Sequence, residues 1–272
     1  VYSPDQAGMG REKLELESAL HKAIERGELV LHYQPKLDVC TGVVTGVEAL
    51  MRWQRADRII SPADFIPMAE ETGLIVPMSY WALQEAARQV QRWQRSLGMT
   101  LPVAVNLPSR MFLRSDLVDS LQAQLAELQA PASCLQLEIT ETSLMKDLQN
   151  VMPSLKRLNQ LGLEISIDDF GTGYSSLAYL KALPLDYLKI DKQLLGEGDG
   201  GSRDRVVLEG VIEMAHSLGL TVVAEGVETE TQRLALRRGG CDLYQGFLCS
   251  PPITAERLVA LVEEWNEAAA PV

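Results

Sequence analysis

Leu163-Glu-Ile-Ser-Ile-Asp-Asp-Phe-Gly-Thr-Gly-Tyr-Ser-Ser-Leu177 decides the fold. Leu161-Gly162-Leu163 stands just before it, a glycine cap closing a helix and opening a strand. Leu163, Ile165 and Ile167 then alternate with Glu164, Ser166 and Asp168, a half-polar strand of period two. The strand exits into two adjacent carboxylates, Asp168 and Asp169, and a turn bracketed by Gly171 and Gly173, with Ser175 and Ser176 ahead of a helical run. Ionised aspartates at a strand exit are not packing residues; they need a cation. In a strict strand the two would face apart, so the turn is expected to swing Asp169 back.

Working outward, the same helix–glycine–strand junction recurs at Leu97-Gly98-Met99 and Leu218-Gly219-Leu220. Periodicity predicts strands at Glu28–Gln34, Val43–Leu50, Pro102–Leu107, Leu135–Thr140, Leu163–Asp168, Tyr187–Asp191, Thr221–Glu225 and Asp242–Phe247. Helices are predicted near 16–27, 62–72, 77–97, 113–129, 147–160, 203–218, 229–238 and 254–267, with a short one after Gly173. The turn Asp38-Val-Cys-Thr-Gly42 is too short for a parallel crossover, so the first two strands are antiparallel. The rest alternates strand with helix. The fold class is therefore α/β, a (β/α)8 TIM-like barrel with an antiparallel first strand. A doubly wound open sheet is the alternative, but no G-x-G-x-x-G follows an early strand.

Parity sorts each strand into an apolar face for the helices and a polar face for the lumen. The polar set is Glu48, Asn106, Glu138, Asp168, Lys189, Asp191, Glu225 and Gln245, crowded toward the C-terminal strand ends where barrels of this kind build sites. So many carboxylates in one cup repel unless cations enter. Oxygen-rich clusters suit hard ions such as Mg²⁺ or Mn²⁺, and this many acids favours two ions over one.

Composition limits the partners. The 272 residues carry a net charge of −12, with 46% hydrophobic residues, which argues against sequence-independent binding to polymeric nucleic acid. No apolar run approaches the ~18 residues of a membrane span, so no membrane contact by this domain is expected. Cys40, Cys134, Cys241 and Cys249 are widely spaced, consistent with free thiols in the cytoplasm. Residues 1–10 are turn-rich and read as a linker remnant, with one domain over 11–272. The chain begins at Val1, which predicts a piece of a longer protein, and an inner-membrane anchor elsewhere in it stays open. His32 and His216 read as packing or surface residues, and Trp53, Trp81, Trp93 and Trp265 as structural.

Glu48-Ala49-Leu50, within Gly46-Val-Glu-Ala-Leu-Met-Arg-Trp53, resembles the signature of EAL-domain cyclic di-GMP phosphodiesterases. Tyr33-Gln34-Pro35, Glu138-Ile-Thr-Glu141, Asp168-Asp-Phe-Gly-Thr-Gly173, Tyr187-Leu-Lys-Ile-Asp191, Val223-Ala-Glu-Gly-Val-Glu228 and Tyr244-Gln-Gly-Phe247 match it in order. The resemblance implies hydrolysis of cyclic di-GMP to linear pGpG with two Mg²⁺ or Mn²⁺ ions. It would place Glu48, Asn106, Glu138 and Asp168 on one metal, and Asp168, Asp169 and Glu225 on the second. Lys189 would orient the attacking water, Asp191 and Glu228 would support it, and Glu225 would act at the second metal. Gln34, Arg52 and Gln245 would contact or frame the substrate, and Glu141 would tie the Asp169–Ser176 loop to a homodimer contact. The tail also resembles the exit from a GGDEF domain, implying an N-terminal GGDEF or sensory domain in the full-length protein. Two departures stand out: Asn106-Leu107-Pro108-Ser109 displaces a serine usually two residues after the asparagine, and Pro251-Pro252 replaces a common Arg-Pro. A catalytically silent cyclic di-GMP receptor, and an enolase-like barrel with a lysine base, are the competing readings.

Overall fold

The computed structural model describes residues 16–56, 58–98, 100–171, 177–196 and 202–269. The expected linker remnant, Gly173, Ser175 and Ser176 lie outside them. Helix α1, described over 16–23, leads through a turn at Gly27 into β1 (Leu29–Asp38) and β2 (Val44–Arg55). These pair antiparallel from Leu29 opposite Trp53 to Leu37 opposite Val44. A short strand, β3 (Arg58–Ile60), folds back on the end of β2. Next come α2 (Pro62–Thr72) and α3 (Ile75–Leu97).

Strand–helix units follow. They are β4 (Val103–Asn106) with α4 (Ser109–Phe112) and α5 (Leu117–Leu128), and β5 (Leu135–Thr140) with α6 (Glu141–Lys146) and α7 (Leu148–Gln160). Then β6 (Glu164–Phe170) precedes α8 (Leu177–Leu180), and β7 (Tyr187–Ile190) precedes a 3-10 turn, Lys192–Leu195, and α9 (Ser202–Ser217). The chain ends with β8 (Thr221–Ala224), α10 (Glu230–Arg238), β9 (Leu243–Tyr244) and α11 (Ala255–Ala269). The strands run β1-β9-β8-β7-β6-β5-β4-β2, and β1–β2 pairing closes the ring with β3 outside it. Only β1 is antiparallel, to both β2 and β9; the other ring contacts are parallel. The (β/α)8 barrel with a reversed first strand stands.

Parity explains the register. Leu135, Leu137 and Ile139, Ile165 and Ile167, and Leu188 and Ile190 are fully buried against the outer helices. A one-residue slip would turn each into the polar lumen, at about 1.5–3 kcal/mol per side chain. A second apolar cluster packs α1 and α2 against the far end of β2, where Trp53 meets Phe65 edge-on at 6.0 Å. The three expected glycine caps all adopt left-handed φ: +66° at Gly98, +88° at Gly162 and +77° at Gly219.

Several expected boundaries need correction. β1 continues past Gln34 to Asp38 because a bulge at Lys36/Leu37 keeps it paired, and β2 extends past Leu50 to Arg55. β3 is too short to show alternation in the sequence. The helix expected near 113–129 is α5, which starts only at Leu117, and the short α4 ahead of it was not expected. The last strand is shorter than Asp242–Phe247, although the Gln245 amide still donates to the Ala224 carbonyl at 2.8 Å. β7 stops at Ile190, and Asp191 caps the following 3-10 turn by accepting from the Gln193 amide at 2.9 Å.

Candidate active site

The parallel strands deliver their polar side chains to one end of the lumen, and Lys189 is the centre of the cluster. It is 1% exposed. Its Nζ lies 2.6 Å from Glu225 Oε1, 2.7 Å from Glu138 Oε2, 3.3 Å from Asp168 Oδ1 and 3.4 Å from Glu48 Oε2. The four acids come from β2, β5, β6 and the residue after β8. Lateral register staggers them toward the same end: Asn106 pairs with Glu138, Glu138 with Ser166, and Thr140 with Asp168.

Glu48 is held by two further groups. Asn106 Nδ2 donates to its Oε1 at 2.6 Å and Gln245 Nε2 to its Oε2 at 2.6 Å. The Gln245 amide also donates to Gln34 Oε1 at 2.9 Å, and Gln34 in turn donates to the Ser250 carbonyl at 3.0 Å. Inserted Pro108 sits in extended conformation ahead of α4, so the displaced serine leaves Asn106 on Glu48.

The swing of Asp169 happens within the strand rather than in the glycine turn. Asp169 has φ +55°, a left-handed value uncommon for a residue other than glycine, and β6 shifts register between Ile167 and Phe170. The Asp169 amide bonds Asp168 Oδ1 at 2.9 Å. In consequence Asp168, Asp169 and Glu225 bring one carboxylate oxygen each to within 4.8 Å of one another. Glu141, at the start of α6, accepts from the Gly171 amide at 3.1 Å, anchoring the backbone just after β6.

The cup is short of positive charge. Burial pushes the Glu138 carboxyl up to about 7; Lys189 pulls it down, while Glu48 and Asp168 push it further up. Burial likewise raises Glu225 well above the usual carboxylate range, against the pull of Lys189. Burial, Asp168 and Asp191 raise Asp169. Burial pushes Glu48 upward too, but Lys189, Gln245, Lys36 and Asn106 outweigh it and hold Glu48 below its usual value. For Lys189, burial disfavours the charge, yet the surrounding acids raise it well above an ordinary lysine. Oxygen donors that cannot all ionise without another cation fit a hard divalent ion. Glu138 Oε1, buried with no hydrogen-bond partner among the described residues, adds to that fit.

Some expected residues lie apart from this cluster. Asp191 spends one oxygen on its turn cap. Glu228 is exposed, and its amide donates to Gln232. Arg52 turns its guanidinium to the Met51 carbonyl at 2.9 Å and lines a pocket of about 280 Å³ with Asn106, Leu50, Ile66, Leu107 and Pro108. His216 pairs with Asp242 at 2.8 Å, outside the lumen. The residue missed by sequence reasoning is Lys36, which donates to Gln136 Oε1 at 2.5 Å beneath the cup. Its signal was a charged residue at an inward β1 position, in phase with Gln34.

The EAL domain family model matches residues 17–252. This chain belongs to the EAL domain family. It is 44% identical over 253 residues to the bifunctional diguanylate cyclase/cyclic di-GMP phosphodiesterase MucR of Pseudomonas aeruginosa, covering 93% of this chain and 37% of that protein. It is 40% identical over 261 residues to the cyclic di-GMP phosphodiesterase NbdA of the same organism, covering 96% of this chain and 33% of NbdA. This EAL domain thus spans about a third of the length of these curated relatives. The solved PaMucR phosphodiesterase in complex with c-di-GMP superimposes with a TM-score of 0.84 at 44% identity, over 90% of this chain and 99% of that one. No helix among the described residues is long and apolar enough to cross a membrane.

Proposed function

We propose that this EAL domain is a divalent-metal-dependent phosphodiesterase that hydrolyses cyclic di-GMP to linear pGpG. The observation that carries the reading is the acid cup around Lys189 at the C-terminal end of an EAL-family barrel. Glu48, Asn106, Glu138 and Asp168 would hold one ion, and Asp168, Asp169 and Glu225 a second. When bound, two Mg²⁺ or Mn²⁺ ions supply charge at the phosphate and a nucleophile available near neutral pH.

The chain's own residues then do the remaining work. Lys189 keeps a fixed positive charge against the phosphate region and orients the incoming water. Glu225, 2.6 Å from Lys189, accepts a proton from that water. Attack at phosphorus forms a P–O bond to the water oxygen and breaks one ester P–O bond, and the leaving sugar oxygen takes up a proton. Opening one of the two diester links of the ring leaves a linear dinucleotide. Gln245 and Asn106 hold Glu48, and Gln34 holds Gln245 in turn. Arg52 turns from the Met51 carbonyl to pair with a phosphate oxygen, and the apolar pocket beside it suits a purine base. Asp191 and Glu228 act from the rim, and Glu141 holds the loop after β6.

The same reading extends to the full-length protein: a cytoplasmic domain acting as a homodimer, preceded by a GGDEF or sensory domain, with any inner-membrane anchor outside this chain. Relatives about three times as long support that extension.

The test is cyclic di-GMP turnover with Mg²⁺ or Mn²⁺ beside Glu48→Ala. The expected result is metal-dependent pGpG release from the wild type, with at least a hundredfold loss in the variant. Tight binding of cyclic di-GMP with no pGpG under either metal would move the domain to the receptor class.

A further inference from the structure

Beneath the acid cup lies a second buried ammonium that the reading above does not use. Lys36 points from β1 into the lumen and is 3% exposed. It reaches across the barrel, since β1 and β5 are not neighbours in the ring, and its Nζ ends on Gln136 Oε1 at 2.5 Å. Glu138 Oε1 is 3.9 Å away, and the Tyr187 ring 5.9 Å. Opposite Lys36 in register stands Gly46 on β2. A Cβ there would lie 3.1 Å from the Pro102 carbonyl, a tight approach, and 3.6 Å from Lys36 Cε, in ordinary contact, so the lysine stem runs directly over the glycine.

Burying an ammonium is costly unless it has a partner, and an aliphatic side chain would fill the same space without that cost. What the charge faces is Glu138, itself 1% exposed. Glu138 Oε2 accepts from Lys189 at 2.7 Å. Its Oε1 has no hydrogen bond among the described residues, and Lys36 is the cation on that side. Two ammonium groups thus flank one carboxylate, one at each oxygen. Lys36 is itself steered: Gln136 accepts from it and donates to Glu164 Oε2 at 2.6 Å. The sequence Glu164–Gln136–Lys36–Glu138 forms one polar column from the barrel floor to the cup.

We propose that Lys36 is a positioning residue for the metal-binding cup, holding Glu138 from the lumen side so that the carboxylate meets a divalent ion in one set orientation. The proposal rests on the reading of Glu138 as a metal ligand. Partners that orient a ligand in this way commonly contribute 10–100-fold to metal affinity.

The experiment is Mn²⁺ titration of the substrate-free chain by calorimetry, at pH 8, for wild type, Lys36→Met, Glu138→Gln and the double variant, with thermal unfolding in EDTA recorded for each. Lys36→Met should bind Mn²⁺ about tenfold more weakly. In the Glu138→Gln background the same change should have no further effect, because the residue through which Lys36 acts is already altered. Should Lys36→Met fail to fold, Lys36→Gln keeps a hydrogen-bonding group without the charge and takes its place in the cycle. Unchanged or tighter Mn²⁺ binding by the Lys36 variant overturns the proposal, as does a full tenfold loss on top of Glu138→Gln. A wild type that takes up no Mn²⁺ overturns the metal reading itself, and this inference with it.

Discussion

Replacing Lys189 by methionine removes one cation from contact with four carboxylates while keeping the volume of the side chain. In the metal-free protein its ammonium lies 2.6–3.4 Å from Glu225, Glu138, Asp168 and Glu48. Breaking a buried ion pair by removing one partner typically costs about 3–5 kcal/mol, because the remaining charge is left uncompensated. At ~2 °C per kcal/mol for a chain of this size, Tm should fall by roughly 6–10 °C. The measurement is thermal unfolding at pH 8, where the acids are most fully ionised, first in EDTA and then in Mg²⁺. Because a divalent ion supplies the missing charge, Mg²⁺ should raise the Tm of the variant by several degrees more than that of the wild type. Turnover should stay lost even when stability returns, since the ion restores charge but not the ammonium that orients water. A variant within ~2 °C of wild type in EDTA, or an identical Mg²⁺ increment in both proteins, would refute the view that Lys189 stands in for cationic charge in the empty cup.

Two further outcomes follow from the same geometry. In EDTA, stability should fall as pH rises from about 5 to 8. Glu138 binds its proton more tightly when folded, at about 7 against an ordinary 4.5, so the folded state is favoured below that window and loses the advantage through it. Glu225 and Asp169 are shifted the same way, and Mg²⁺ should therefore stabilise more at pH 8 than at pH 6; flat or rising stability in EDTA across this range would contradict the shifts. Gly246→Ala would set a Cβ 2.2 Å from the Val227 carbonyl oxygen and 2.3 Å from its amide nitrogen, forcing the turn after β9 apart and pulling Gln245 off Glu48. A loss of about 3 kcal/mol or more in denaturant unfolding is expected, and a variant as stable as wild type would show that the turn yields freely.

Much of the site was legible in the chain because strand parity and register are local rules. Alternation alone put Glu48, Asn106, Glu138, Asp168, Lys189, Glu225 and Gln245 on inward faces near the strand ends, and in the fold they share one hydrogen-bonded cluster. The reversed first strand followed from a turn too short to cross over. Asp191 and Glu228 shared the motifs but make none of the cluster's hydrogen bonds: Asp191 caps the turn after β7, and Glu228 is exposed beyond β8.

What the sequence by itself determined is the alternation of faces, the glycine caps and the kind of residues that meet in the lumen. Only the tertiary structure decided which carboxylate shares which cation. Closure of the ring sets the distances across the lumen, and no local pattern encodes them. That closure puts Lys36 of the reversed strand on Gln136, a hundred residues away in sequence, and beneath Glu138 of the same strand β5. The left-handed backbone at Asp169, which turns a second carboxylate toward Glu225, likewise goes with the register shift between β6 and β7.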